Sequence, residues 1–206
     1  MSPDTDTRPP ADAALTAERP GTFVAVVGPS GAGKDTLLAM AAEALANEPN
    51  VIFARRIVTR DAMAELEDHA VMSRADFAEA ENSGAFCLSW HAHGLAYGLP
   101  AGLDDALSCG KTVVANISRR TLADAAARFA RLAIVEITAP KAVLVARVAA
   151  RGRETPDEVA ARIARQVELE VPARAEAFHR IMNDGAAREG CERLVAILMA
   201  SPRRAG

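Results

Sequence analysis

The sequence predicts an α/β fold in which a mostly parallel central sheet is flanked by helices and carries a small inserted lobe. Three observations predict it. The apolar run Phe23-Val24-Ala25-Val26-Val27 leads straight into Gly28-Pro29-Ser30-Gly31-Ala32-Gly33-Lys34-Asp35-Thr36, a buried strand followed by a glycine-rich loop and a helix. Four apolar stretches (23–27, 51–58, 112–117 and 132–138) are mostly separated by helical patterns, the alternation expected of parallel strands joined by crossover helices. The middle of the chain breaks that rhythm with short alternating and aromatic stretches, as an inserted lobe would.

Taken in order, residues 1–21 hold Pro, Asp, Thr and Ala without the apolar centre of a signal peptide, and they are expected to form a flexible tail ahead of a single domain over 22–206. After the first strand and its loop, a helix is expected over 36–46. Ser73-Arg74-Ala75-Asp76 caps a helix that runs to about Asn82 and is stopped at Gly84. Strands follow at 85–90 and 95–98, then a helix over 103–109 ended by Gly110. The lobe is expected at about 60–99. Ser118 opens a helix through Ala130, and Pro140 stands near the start of another that ends around Arg151. Thr155-Pro156-Asp157-Glu158 combines a capping hydroxyl, a proline at the first helical position and a glutamate three residues after the cap, so a helix over 156–168 is expected. A short strand at 179–182 and a helix over 192–200 close the chain.

The loop has a specific chemistry. Glycines let successive backbone N–H groups curl around a polyphosphate, the next helix presents its positive end, and Lys34 adds a cation that reaches the β- and γ-phosphates. Gly28, Gly33 and Lys34 satisfy the G-x-x-x-x-G-K spacing. Asp35 then stands where a Ser or Thr usually bonds magnesium, with Thr36 directly after it. Either Thr36 supplies the hydroxyl or Asp35 approaches the metal, directly or through water, and the residues alone leave both open. The chain is expected to handle a nucleoside triphosphate.

Composition narrows the alternatives. With 206 residues the chain suits one α/β domain with a real core. Half of the residues are hydrophobic but only 4% are aromatic, which argues against widespread stacking on nucleic-acid bases. A formal charge of −3 gives no global attraction for nucleic acid or an anionic membrane, so small-molecule substrates are the expected partners. No apolar run approaches the roughly 20 residues that cross a bilayer. Cys87, Cys109 and Cys191 are too few and too scattered for a metal or disulfide framework, and reduced thiols in a cytoplasm are expected. Cys87 reads as a small buried residue rather than a nucleophile.

The arginines fall into two groups. Arg55, Arg56 and Arg60 lie at or beyond the end of a strand, on the side where ligands bind in this architecture, and with Thr59 they suit an anionic acceptor. Arg147, Arg151 and Arg153 end one helix and Arg162 sits on the next, a helical hairpin over about 147–166 that would close over the triphosphate as a lid. His69, His91, His93 and His179 show no zinc-binding spacing; His91 and His93 alternate on one strand face that could turn to the site, but each taken singly reads as a structural imidazole.

Together with Glu67-Asp68-His69, Phe86, Tyr97-Gly98, Arg151-Gly152-Arg153-Glu154 and Asn183-Asp184, the phosphate loop and the Thr59-Arg60 pair resemble the guanylate-kinase family over about residues 22–200. The resemblance implies a P-loop kinase with an acceptor-binding lobe and a helical lid. It implies that Lys34, Arg151 and Arg162 serve the transferred group, that Arg60 and Tyr97 hold the acceptor phosphate, and that ATP is the donor with Mg²⁺. The family's guanine contacts fail here. The base-binding glutamate is replaced by Leu88, the hydroxyl residue two places after the tyrosine by Leu99, the phosphate-binding tyrosine by His69 and a strand-end aspartate by Asn116. Arg56 replaces a small hydroxyl residue. Losing both polar groups removes the partners a buried base edge requires, and the added arginine suits an acceptor with a second anion. Within the family the pattern looks like the branch of phosphonate catabolism, which implies ribose 1,5-bisphosphate as acceptor, held by Arg56, Arg60, His69 and Tyr97, and 5-phosphoribosyl 1-diphosphate as product. The competing readings are a guanylate or other nucleoside-monophosphate kinase and a non-catalytic interaction module.

Overall fold

The computed structural model describes residues 20–59, 70–92, 94–150 and 169–200. The expected tail through residue 19, the helix over 156–168, and Arg60, Glu67, Asp68, His69, His93, Arg151, Gly152, Arg153, Glu154 and Arg162 lie outside them.

Strand β1 (Phe23–Val27) is buried on both faces, as its uninterrupted apolar sequence requires. It lies at the centre of a five-stranded sheet with β2 (Val51–Phe53), β7 (Thr112–Asn116), β8 (Leu132–Thr138) and β9 (Ala177–Met182), in the order β2-β7-β1-β8-β9. Every pairing in it is parallel. The α/β class and the mostly parallel central sheet expected from the sequence are therefore present.

Helices α1 (Lys34–Ala44), α5 (Lys141–Ala149) and α6 (Ala187–Ala200) cover one face, burying Leu37, Leu144, Leu194 and Leu198 against Val24, Val26, Val135 and Ile137. On the other face α3 (Leu103–Ser108) and α4 (Leu122–Arg128) pack Leu107, Leu122 and Ala125 against Phe23, Ala25 and Ile134, and the rings of Phe23 and Phe129 stack 4.0 Å apart. Each fully buried leucine contributes about 2 kcal/mol of apolar burial.

A second sheet of four strands has the order β4-β3-β6-β5, from β3 (Ile57–Thr59), β4 (Ala70–Met72), β5 (Phe86–Ala92) and β6 (Leu95–Pro100). Helix α2 (Arg74–Asn82) covers it and is capped as the sequence predicts, Ser73 Oγ accepting from the Asp76 amide at 3.1 Å. The phenyl rings of Phe77 and Phe86 stack between helix and sheet, and Gly98 is required there because a Cβ would press on the Phe86 ring.

Several boundaries differ from expectation. The apolar stretch 51–58 is two strands in two different sheets: Ala54 still donates to the Val114 carbonyl at 2.8 Å, and then Arg55 and Arg56 carry the chain out of the large sheet. Ile52 and Ala54 pack on one core cluster and Val51 and Phe53 on the other, so two consecutive arginines would put a charge on each apolar face. The helix expected from Ser118 starts as a 3₁₀ turn (Arg119–Thr121) before α4, β9 begins two residues early, and α6 begins at Ala187. Gly21, the last residue of the expected tail, is buried and donates to the Leu107 carbonyl at 2.6 Å.

Candidate active site

The phosphate loop leaves β1 at its carboxyl end, between β7 and β8. Gly28, Gly31 and Gly33 all have positive φ, and at Gly28 a Cβ would overlap the carbonyl oxygen of Ile137 on the neighbouring strand. Left-handed backbone and close approach therefore explain these glycines together. Gly33 caps α1, whose first N–H groups and positive dipole end face the loop. The Lys34 ammonium folds back over the loop and donates to the carbonyls of Gly28 at 2.9 Å and Pro29 at 3.0 Å.

Beneath the loop lies Asn183, buried and just beyond β9. Its Nδ2 donates to the Ala32 carbonyl at 2.8 Å, its own amide donates to Thr138 O at 2.7 Å, and Arg147 Nη1 donates to its carbonyl at 2.8 Å. The side chain is a strut between β8, β9 and the loop, with Oδ1 buried and without a partner. In the sequence Asn183 stands out only within the Asn183-Asp184 pair, and Arg147, expected at the start of the lid, donates to the Asn183 backbone. Asn183→Ala is expected to loosen the loop and raise KM for the triphosphate about tenfold, with a smaller change in kcat. Steady-state kinetics at saturating acceptor checks this, and an unchanged KM would deny the strut its function.

Asp35 and Arg56 meet on the far side of the loop. Asn116, at the end of β7, donates through Nδ2 to Asp35 Oδ1 at 2.7 Å, and Arg56 Nη2 lies 3.8 Å from the same oxygen. The Arg56 side chain is 14% exposed, and its Cζ lies 5.8 Å from the Tyr97 ring centre. Tyr97 in turn stacks on Trp90, ring centres 5.4 Å apart. Leu88 and Leu99 pair across β5 and β6 and are buried in the same core cluster as Trp90. The structure thus brings together the phosphate loop, Asp35, Asn116, Arg56 and Tyr97.

Other candidates are placed elsewhere. Thr59 is buried, its hydroxyl accepting from the Ala96 amide at 2.8 Å, so it braces the small sheet and is not turned to an acceptor. Arg55 is exposed. His91 lines a hollow with Arg74 and Glu81 on the α2 face, opposite Leu88 and Trp90, because strand alternation sends it there, in keeping with the structural reading. His179 is exposed on β9. Burial, helped by the negative charge of Asp104, pushes the Cys87 thiol up to about 11, which keeps it neutral and fits a packing role.

A charged cluster that the sequence reading missed sits at the ends of β8 and β9. Glu136 is buried beside Val27 in the strand register, and Arg180 Nε donates to its Oε2 at 2.6 Å. Arg119 is also within its field: burial lowers the guanidinium pKa and Glu136 opposes that shift. A lone carboxylate in the otherwise apolar run 132–137 was the available signal, since a buried acid needs a partner.

A family model described as an AAA domain matches residues 23–171. The ribose 1,5-bisphosphate phosphokinase PhnN of Methylobacterium radiotolerans is 48% identical over 181 residues, covering 88% of this chain and 99% of that protein. The enzyme of that name from Brucella melitensis is 51% identical over 147 residues, covering 71% of this chain and 77% of its own. Among solved structures, guanylate kinase from Anaplasma phagocytophilum superposes with a TM-score of 0.60 at 17% identity, covering 91% of this chain and 89% of that one, which supports the shared fold. With nearly half its residues shared across the full length of such a relative, the chain belongs to the ribose 1,5-bisphosphate phosphokinase family.

Proposed function

We propose that the protein transfers the γ-phosphoryl group of ATP to α-D-ribose 1,5-bisphosphate, giving ADP and 5-phospho-α-D-ribose 1-diphosphate, as a step in phosphonate catabolism. The observation that carries this reading is Arg56, turned inward between Tyr97 and Asp35 of the phosphate loop, while Leu88 and Leu99 are buried in the core. Arg56 offers charge to an anion, and Leu88 and Leu99 offer no hydrogen-bonding side chain for a purine edge. The names of the close relatives support the same acceptor.

In the proposed reaction an oxygen of the acceptor's 1-phosphate attacks the γ-phosphorus in line. A new O–P bond forms, the bond from phosphorus to the β–γ bridging oxygen breaks, and its electron pair leaves with ADP. The acceptor phosphate is ionised near neutral pH, so a dedicated general base is unnecessary. Lys34 leaves its two loop carbonyls for the phosphates. The loop amides and the α1 dipole hold the β-phosphate, and Arg56 and Tyr97 orient the acceptor. By motif position Arg60 and His69 assist with the acceptor, and Arg151 and Arg162 with charge on the transferred group.

The residues fit a magnesium ion. Asp35 offers a hard carboxylate at the mouth of the loop, 62% exposed and already oriented through Oδ1, and the Thr36 hydroxyl is adjacent and exposed. Among the described residues no three His, Cys, Asp or Glu side chains converge, so such an ion would complete its sphere from phosphate and water. When bound it supplies counter-charge to the β- and γ-oxygens. Among the described residues no helix is long and apolar enough to cross a membrane, and the three cysteines are free, which suits a cytoplasmic enzyme.

Phosphorus NMR of the products from ATP, Mg²⁺ and ribose 1,5-bisphosphate tests the proposal. A new diphosphate at the anomeric carbon is the expected result, and rapid guanosine diphosphate formation from guanosine monophosphate without sugar turnover would reject it. Arg56→Ala is expected to raise KM for the sugar bisphosphate by about a hundredfold while leaving KM for ATP within about threefold. Leu88→Glu, which puts a carboxylate at a position buried among Trp90 and Leu99, should not improve sugar phosphorylation in the same assay.

A further inference from the structure

In phosphate-loop enzymes that hold magnesium, the loop position after the lysine is usually a hydroxyl residue, and the carboxylate comes from a neighbouring strand. This chain has the two chemistries reversed. The loop carries Asp35, and the adjacent strand β7, whose Asn116 is paired in register with Val26 of β1, ends in an amide. We propose that Asp35 and Asn116 form a transposed metal-holding pair, in which Asp35 supplies the charge from the loop and Asn116 is the positioning residue that aims it.

The geometry argues for an exchange rather than two unrelated changes. Asn116 is buried, and its Nδ2 can only donate, so the 2.7 Å contact needs an acceptor at position 35 and finds Asp35 Oδ1. A carboxylate at 116 facing Asp35 at that distance would repel it, and an amide at both positions would leave the pair without charge. One acid and one neutral partner is the combination that keeps a single negative charge under the metal. Both Asn116 and Arg56 contact the same Asp35 oxygen, so neither contact uses Oδ2. Asn116 lies inside and Asp35 at the surface, so the charge is offered from the loop and not from the strand end.

The inference rests on the nucleotide-binding part of the function proposed above, and its test does not depend on the sugar. The measurement is Mn²⁺ affinity in the presence of ADP, read by electron paramagnetic resonance, alongside ADP affinity without metal and thermal melting. Asp35→Asn should weaken Mn²⁺ binding tenfold or more, by roughly the effect of removing one charged ligand. Asn116→Ala keeps the charge but loses its orientation and should weaken it about tenfold. The reversed pair, Asp35→Asn with Asn116→Asp, should recover to within about threefold of the original chain, a non-additivity that only coupled residues show.

A purely structural Asn116 would lower the melting temperature of Asn116→Ala while leaving Mn²⁺ affinity unchanged, and that result overturns the proposal. So does unchanged Mn²⁺ affinity in Asp35→Asn, or a well-folded double variant that recovers nothing. If the double variant does not fold, the two single variants decide. A chain that shows the metal pattern yet fails to phosphorylate the sugar bisphosphate would refute the proposed acceptor and leave this pair standing.

Discussion

Lys34→Ala is expected to lower turnover about a thousandfold, in the range lost when one strong electrostatic contact to the transferring group is removed. The fold should survive, because the ammonium donates to the Gly28 and Pro29 carbonyls within its own loop. The effect should fall mainly on kcat, since charge on the γ-phosphoryl oxygens grows as the bond to ADP breaks. Lys34→Arg keeps the charge but replaces a compact ammonium by a planar fork, and it should recover only part of the rate. Steady-state assays paired with thermal melts decide the matter. Turnover at the original rate in Lys34→Ala would take the residue out of the mechanism.

Gly28→Ala should be the most damaging single methyl group in the loop. The added Cβ overlaps a backbone carbonyl, that of Ile137, which belongs to a buried strand and cannot swing aside as a side chain would. Positive φ adds strain of its own. Together these should cost about 3 kcal/mol, lowering the melting temperature by roughly 6–12 °C for a domain of this size and abolishing nucleotide binding. Gly84→Ala provides the control: it also has positive φ, but nothing lies within 4 Å of its Cβ, so only the backbone term of about 1 kcal/mol remains. If both variants melted alike, crowding against Ile137 would not be what constrains the loop.

The sequence carried the large sheet well because its central strands are buried on both sides and so are written as unbroken apolar runs, as in Phe23–Val27 and Leu132–Thr138. It misled at 51–58, where hydropathy is continuous but the chain changes sheets at Arg55 and Arg56, a break visible only in charge. The phosphate loop was legible because its demands fall on neighbouring residues. Asn183 was harder: its function depends on a hydrogen bond to Ala32, 151 positions away, and nothing in local composition encodes that distance. The same holds for Asn116 and Asp35, which are 81 positions apart. Each is noticeable alone only as a departure from a pattern, and their complementarity becomes apparent when the strand end meets the loop. Glu136 with Arg180 and Arg119 forms the converse case, a conspicuous acid whose partners come from two other elements.

The chain leaves the large sheet after Phe53 and, after building the small one, returns through α3 to Thr112, whose amide donates to the Asn50 carbonyl at 2.8 Å; Val51 and Thr112 are register partners. Departure and re-entry are thus neighbours on adjoining strands. The segment between them is thus inserted at one place in the frame, with two closely spaced seams, and Leu88, Leu99 and Leu107 tie it to the core cluster that holds Phe23 and Ile134. Arg56 sits on the first seam, where a single codon changes the charge offered to an incoming molecule and leaves the architecture of the frame intact.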